Sequence, residues 1–315
     1  MSTKLFVSSS PHVFAKQNTH NIMLDVIIAL LPACGVGIYF FGAKAALIIA
    51  LTTFSAVACE WIILKAFNRP GSIKDLSAAV TGLLLGMNLS VGVPWWVAVL
   101  GSVFAIAIVK QAFGGLGHNF VNPALAGRAF LVACWPVAMT TWIQPGTVDV
   151  VTSATPLAIV KAGEPIANSM LMNMAIGNTS GCIGEASAIA LLAGGLYLIA
   201  KKIIRWRIPA TYIITVFALS FLLGDFNLTS SFAHVLGGGL IIGAFYMATD
   251  YTTSPVTPRG QLIMGIGCGI MTVLIRQYSN SAEGVSFSIL LMNVCVPLID
   301  RFTRPKVFGE VKRNA

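Results

Sequence analysis

The sequence predicts an all-α polytopic membrane protein of about ten transmembrane helices in two inverted five-helix repeats. Three observations carry this. Apolar residues make up 56% of the 315 and charged residues only 10%, against about 25% charged in a soluble domain. Mean hydropathy is +0.83. Apolar runs long enough to be spans, which need about 20 residues each, recur along the whole chain.

In order, the expected spans are 21–41, 45–66, 76–92, 95–110, 121–143, 184–200, 208–224, 231–249, 261–276 and 285–300. Several are short or interrupted by Gly and Pro, notably near Pro94, Pro123 and Pro255. The first run lacks a small-residue cleavage pattern after it, so it is expected to stay as a span. The organisation expected is a cytoplasmic N-terminus (1–20), a first transmembrane repeat (21–143), a polar extracytoplasmic loop (144–183), a second repeat (184–300) and a basic cytoplasmic tail (301–315).

Orientation follows from the basic residues. With the N-terminus in the cytoplasm, sixteen Lys and Arg fall at cytoplasmic ends and three (Lys44, Lys161, Arg276) outside. Both termini are then inside, and the 144–183 loop is outside. The net charge of +9 reflects this placement rather than nucleic-acid binding. Six cysteines without CxxC spacing and four scattered histidines give no metal, iron–sulfur or haem pattern. No catalytic residue is indicated, and a redox centre in this chain would be organic or shared with a neighbour.

An internal repeat is visible. Gly82-Leu83-Leu84-Leu85-Gly86 precedes Pro94 and an apolar run ending at Lys110-Gln111. Gly239-Leu240-Ile241-Ile242-Gly243 precedes Pro255 and a run ending at Arg276-Gln277. Five spans per repeat force opposite orientations, and inverted repeats with broken helices are a transporter device. The same glycine spacing also serves plain helix packing.

Four runs are candidates for chemistry. Asp149-Val150-Val151-Thr152-Ser153-Ala154-Thr155 lies in the long polar loop, and long loops are often functional. In the run from Lys110 to Phe130, Gly114, Gly115 and Gly117 permit unusual backbone, while Asn119 and Asn122 offer amide donors and acceptors. Asn122 precedes Pro123 and equally suits a helix cap. Arg128 would sit inside a span, where a cation is costly unless paired. Ala244–Gly260 is rich in hydroxyls around Asp250, and Asn293–Asp300 ends the last span. The acids in or near spans, Asp25, Glu60, Asp250 and Asp300, are candidates for an ion pathway.

Together these runs resemble the family that holds the D subunits of Rnf ferredoxin:NAD oxidoreductase complexes and the B subunits of sodium-pumping NADH:quinone oxidoreductases. The likeness extends from Ser9-Pro11-His12 to Asp300, and the short N-terminus favours the Rnf side. Ser153 stands where Gly is frequent in the family. The resemblance implies a urea-transporter-like fold in a bacterial or archaeal cytoplasmic membrane. It implies FMN joined covalently to Thr155 by a phosphoester, with Asp149 and Ala154 recognised by a flavin transferase. It also implies a second, non-covalent flavin (riboflavin or FMN) near Asn119 and Asn122. The expected partners are other subunits of the complex, among them an FMN subunit facing the outside, besides the lipid bilayer. The expected function is electron transfer from ferredoxin to NAD coupled to Na⁺ or H⁺ translocation, with no complete reaction in this chain alone. The competing readings are a solute channel of the urea-carrier type, a B subunit of the sodium pump, and a scaffold for redox partners.

Overall fold

The computed structural model describes residues 18–68, 73–145, 154–162, 164, 167–224, 226–279 and 283–305. Asp149, the 1–17 segment and most of the basic tail lie outside the described residues.

Helices α1 (Thr19–Phe41) and α2 (Ala43–Ala66) are joined at Gly42. With φ +73°, Gly42 adopts backbone that a side chain would disfavour, so the chain reverses in one residue. Helix α3 (Ser77–Met87) is short and buried along almost its whole length. Gly82 and Gly86 allow this: a Cβ on Gly82 would lie 2.6 Å from the Thr52 carbonyl oxygen, and one on Gly86 would collide with Thr52 Oγ1. The first Gly-x-x-x-Gly is thus a packing face that brings α3 onto the α2 backbone.

Helix α4 (Trp95–Gln111) starts after Pro94. Its last seven residues, Ala105–Gln111, widen into a π-helix, as in the Ala112 N–H bond to the Ala107 carbonyl at 3.0 Å. The expected span 121–143 is instead two helices, α5 (Pro123–Cys134) and α6 (Pro136–Thr140). The break is at Trp135, because the residue before proline is pushed out of helical backbone.

The polar loop has structure of its own. It carries α7 (Pro156–Lys161) and α8 (Asn168–Ile176), followed by a 3₁₀ turn at Ile183–Ala186. Helices α9 (Ala188–Ala200) and α10 (Arg207–Leu223) follow. The expected continuous span 231–249 is broken into α11 (Leu228–Leu236) and α12 (Leu240–Met247), bent by 58°. Gly238 and Gly239 make the break, with φ of +64° and +66°. The second Gly-x-x-x-Gly therefore works differently from the first: Gly239 opens a helix, whereas Gly243 packs so closely on Val285 that a Cβ would meet its Cγ1. Helices α13 (Pro258–Tyr278) and α14 (Val285–Thr303) complete the chain.

This is an all-helical, multi-pass membrane protein. Among the described residues four helices, α1, α2, α13 and α14, are long and apolar enough to cross a bilayer, and the α11–α12 pair counts as a fifth if taken as one broken span. Five shorter apolar helices, α3, α4, α5, α9 and α10, fall on the other expected spans. The packing is paired. Helix α2 contacts α3 and α4 as α10 contacts α11 and α13; α4 meets α5 as α13 meets α14. Helix α1 packs on α9, and α5 on α14. The wholly buried α12 and the almost wholly buried α3 sit among these helices.

Candidate functional site

Two sites lie at opposite ends of α12, whose eight residues span roughly 12 Å at 1.5 Å per residue.

At its Gly238 end lies Thr155. The residue is the N-cap of α7: its hydroxyl accepts from the Ala158 N–H at 3.3 Å, and Pro156 occupies the first helical position. Thr155 is buried at 7% exposure, while Ala154 beside it is exposed. Ser180 Oγ donates to the Ala154 carbonyl at 3.1 Å. A small cleft joins Thr155 and Leu157 to Glu185, Glu283, Gly237 and Gly238. Helix α7 rests on the glycine break itself, for a Cβ on Gly238 would collide with Leu157 Cδ1 and lie 2.5 Å from Arg276 Nη2. Arg276 holds the carbonyls that the break exposes: Nη1 donates to His234 O at 2.6 Å and Nη2 to Gly237 O at 3.1 Å. Unpaired carbonyls at a broken helix inside a bilayer need such a donor.

Next to this cleft is a buried polar cluster. Arg128 of α5 donates to Asn88 Oδ1 at 3.1 Å, to Cys182 Sγ at 3.4 Å and to the Glu283 carboxylate. The ligand atoms of Cys182, Glu185 and Glu283 lie within 4.8 Å of one another. Asn88 in turn donates to Leu84 O at 2.7 Å and to Met247 Sδ at 3.7 Å. The cation seen inside a span is thereby paired, and the pairing joins the first half of the chain to the second.

At the Met247 end of α12, Asn119, Asn122 and Asp250 line a common pocket with Lys110, Thr81 and Tyr246. Its cavity volume is about 100 Å³, smaller than the roughly 300–1,000 Å³ of small-molecule sites. Asn122 caps α5: Oδ1 accepts from the N–H of Ala124 (3.0 Å) and Leu125 (3.3 Å), while Nδ2 donates to Met247 O at 3.3 Å. That leaves one amide hydrogen for anything else. Asn293, oriented to satisfy both ends of its amide, donates to Thr253 O at 3.1 Å and accepts from Asn122 N–H at 3.1 Å. Asn119 donates to Val121 O at 3.2 Å. Asp250 accepts from the Thr252 and Thr253 hydroxyls at 3.2 and 3.3 Å.

The other candidate acids are dispersed. Glu60 is a buried ion-pair partner of Lys110 (2.6 Å) and accepts from Gln111 Nε2 at 2.7 Å; its Oε2 has no hydrogen-bond partner among the described residues. Lys110 also donates to Ser77 Oγ at 2.6 Å, so Glu60 reaches the pocket only through Lys110. Asp25 accepts from Tyr197 Oη at 2.7 Å and lies 3.8 Å from Lys201. Asp300 accepts from Val256 N–H at 3.2 Å. Neither Asp25 nor Asp300 lines the pocket. Glu185, Glu283, Arg276 and Asn88 were not legible as site residues, since partners in this cluster stand up to 155 positions apart; charge in an otherwise apolar chain marked the first three, and nothing marked Asn88.

The model of the NQR2, RnfD, RnfE family matches residues 6–309. The D subunit of a Na(+)-translocating ferredoxin:NAD(+) oxidoreductase complex from Acetobacterium woodii is 53% identical over 98% of this chain and 96% of its own. The D subunit of a proton-translocating ferredoxin:NAD(+) oxidoreductase complex from Clostridium ljungdahlii is 45% identical, over 96% of each chain. The D subunit of an ion-translocating oxidoreductase complex from Stutzerimonas stutzeri is 38% identical over 95% of this chain and 94% of its own.

Proposed function

The chain belongs to the NQR2, RnfD, RnfE family, and on that premise we propose that it is the D-type membrane subunit of an ion-translocating ferredoxin:NAD⁺ oxidoreductase complex of the Rnf kind. The observation that carries this is 53% identity across 98% of the chain to a protein of that name. It works with other subunits of the complex and performs no complete reaction by itself.

Within that role, Thr155 is the attachment point for FMN through a phosphoester, and a flavin transferase is the modifying partner. Three features of the chain support this. The hydroxyl's bond within the fold is a 3.3 Å cap, which a phosphoester oxygen can still accept. Ala154 is small and exposed beside it. Thr155 starts a short helix, so a local shift of its first turn brings the buried oxygen out for modification. When bound, FMN supplies one- and two-electron chemistry to a neighbouring carrier, for which an outward-facing FMN subunit is the partner in this reading. The chain's own contribution is position: α7 is held on the Gly238 break, and Lys161 ties its far end to the Ser279 carbonyl.

In this reading the pocket at Asn119, Asn122 and Asp250 is the place of a second, non-covalent flavin, whose ring would have to widen it from about 100 Å³. Apolar walls suit a ring system, and the amide of Asn119 with the remaining Asn122 hydrogen suits its carbonyl and nitrogen edge. Asp250 belongs to the ion pathway in this scheme, ahead of Asp25, Glu60 and Asp300, because it alone of the four lines the pocket. The paired helix contacts support ten crossings in two inverted, urea-transporter-like halves. Lys and Arg distribution supports cytoplasmic termini and an extracytoplasmic Thr155.

The deciding experiment is mass spectrometry of the proteolytic peptide that contains Thr155, from chain produced together with a flavin transferase. An added FMN mass on Thr155 is expected. An unmodified peptide from an intact complex removes the covalent flavin and leaves the family assignment standing.

A further inference from the structure

Between α2 and α4 runs a furrow of about 620 Å³ on the outer surface of the bundle, lined by Phe54, Ser55, Cys59 and Ile62 on one side and Val99 and Val103 on the other. Its walls are hydrocarbon. Its two polar side-chain atoms bond backbone carbonyls: Ser55 Oγ donates to Thr52 O at 3.2 Å, and Cys59 Sγ to Val103 O at 4.0 Å. Phe54 and Ile62 stand beside it at 74% and 57% exposure.

An exposed charge stands beyond the Ile62 end of the furrow's lining on α2. One turn beyond Ile62, at the end of α2, the exposed Lys65 ammonium lies 5.0 Å from the Trp61 ring centre. Among the described residues Lys65 has no carboxylate partner. Trp and Lys at a helix end are the residues that meet lipid headgroups. Helices α2 and α4 pack directly on each other, and the apolar furrow along their seam suits the hydrocarbon of an acyl chain.

We propose that this furrow is a specific site for an anionic phospholipid, with an acyl chain along Ser55, Cys59 and Val103 and the phosphate at Lys65. The site is distinct from the Thr155 and Asn119 sites and does not depend on either holding a flavin. It anchors the α2–α4 pair, whose inner faces carry Glu60 and Lys110, to a lipid of one leaflet.

The test uses the purified complex in mild detergent with equal amounts of dioleoyl phosphatidylglycerol and dioleoyl phosphatidylcholine, and counts retained lipid by native mass spectrometry. The intact protein is expected to keep phosphatidylglycerol over phosphatidylcholine by roughly fivefold, the preference one Lys gives at an anionic surface. Lys65→Gln should bring the ratio to parity while a lipid is still held. Val103→Trp, which fills the furrow, should lose one lipid per chain of either headgroup. Equal retention by the intact protein overturns the proposal, as does a preference untouched by Lys65→Gln. Disulfide capture of another subunit's helix by Phe54→Cys also overturns it, and assigns the furrow to a protein partner.

Discussion

Arg128 of α5 and Glu283, two residues ahead of α14, form an ion pair that joins the first half of the chain to the second. Their side chains are 6% and 18% exposed. From this pair hydrogen bonds run through Asn88 to Met247 at the end of α12, where Asn122 begins the second site. The Thr155 cleft and the Asn119 pocket are thus built on one shared set of polar contacts.

That pair sets a first expectation. Removing one partner leaves a buried charge uncompensated, at a cost of about 3–5 kcal/mol. Arg128→Met alone should therefore lower the thermal midpoint of the detergent-solubilised chain sharply. Arg128→Met combined with Glu283→Leu should recover much of the loss, because both charges are gone. A double variant as unstable as the sum of the singles would show that the two side chains act independently.

Thr155 separates capping from flavin attachment. Thr155→Val removes the hydroxyl and should cost about 1 kcal/mol through the lost cap, too little to unfold the chain. In-gel flavin fluorescence after denaturation should vanish in that variant. Fluorescence of undiminished intensity would place any covalent flavin elsewhere.

The two asparagines should part company. Asn122→Ala deletes an N-cap and the link to Met247, so the thermal midpoint should fall, with about 1 kcal/mol from the cap alone. Asn119→Ala leaves α5 capped. It should release non-covalent flavin on gel filtration with little change in the midpoint. Retention of that flavin by the Asn119 variant would point to another cradle.

Asp250→Asn keeps the shape of the side chain and its capacity to accept from Thr252 and Thr253, so folding and electron transfer should persist. Ion-dependent membrane potential in proteoliposomes should drop at least tenfold. Normal potential generation would take Asp250 out of the pathway, and the same measurement on Asp300→Asn and Glu60→Gln would then rank the remaining acids.

The order of amino acids suffices for the class of the molecule, the position of its apolar helices and the identity of its unusual runs. These depend on local quantities: hydropathy over about 20 residues, proline and glycine punctuation, and Lys/Arg bias. Asn122 as a cap before Pro123 was legible for the same reason. How the runs meet is a property of the packed fold. Packing split 231–249 at Gly238 and Gly239, where positive φ and the seating of Leu157 require glycine. It turned the polar loop into a docked helix with Thr155 buried at its start. It gave Arg128 a partner 155 positions away and set Asp250 in the pocket while leaving Asp25 and Asp300 outside it. A buried charge or an exposed carbonyl in a membrane must find its partner wherever the fold supplies one, and no window of sequence contains that distance.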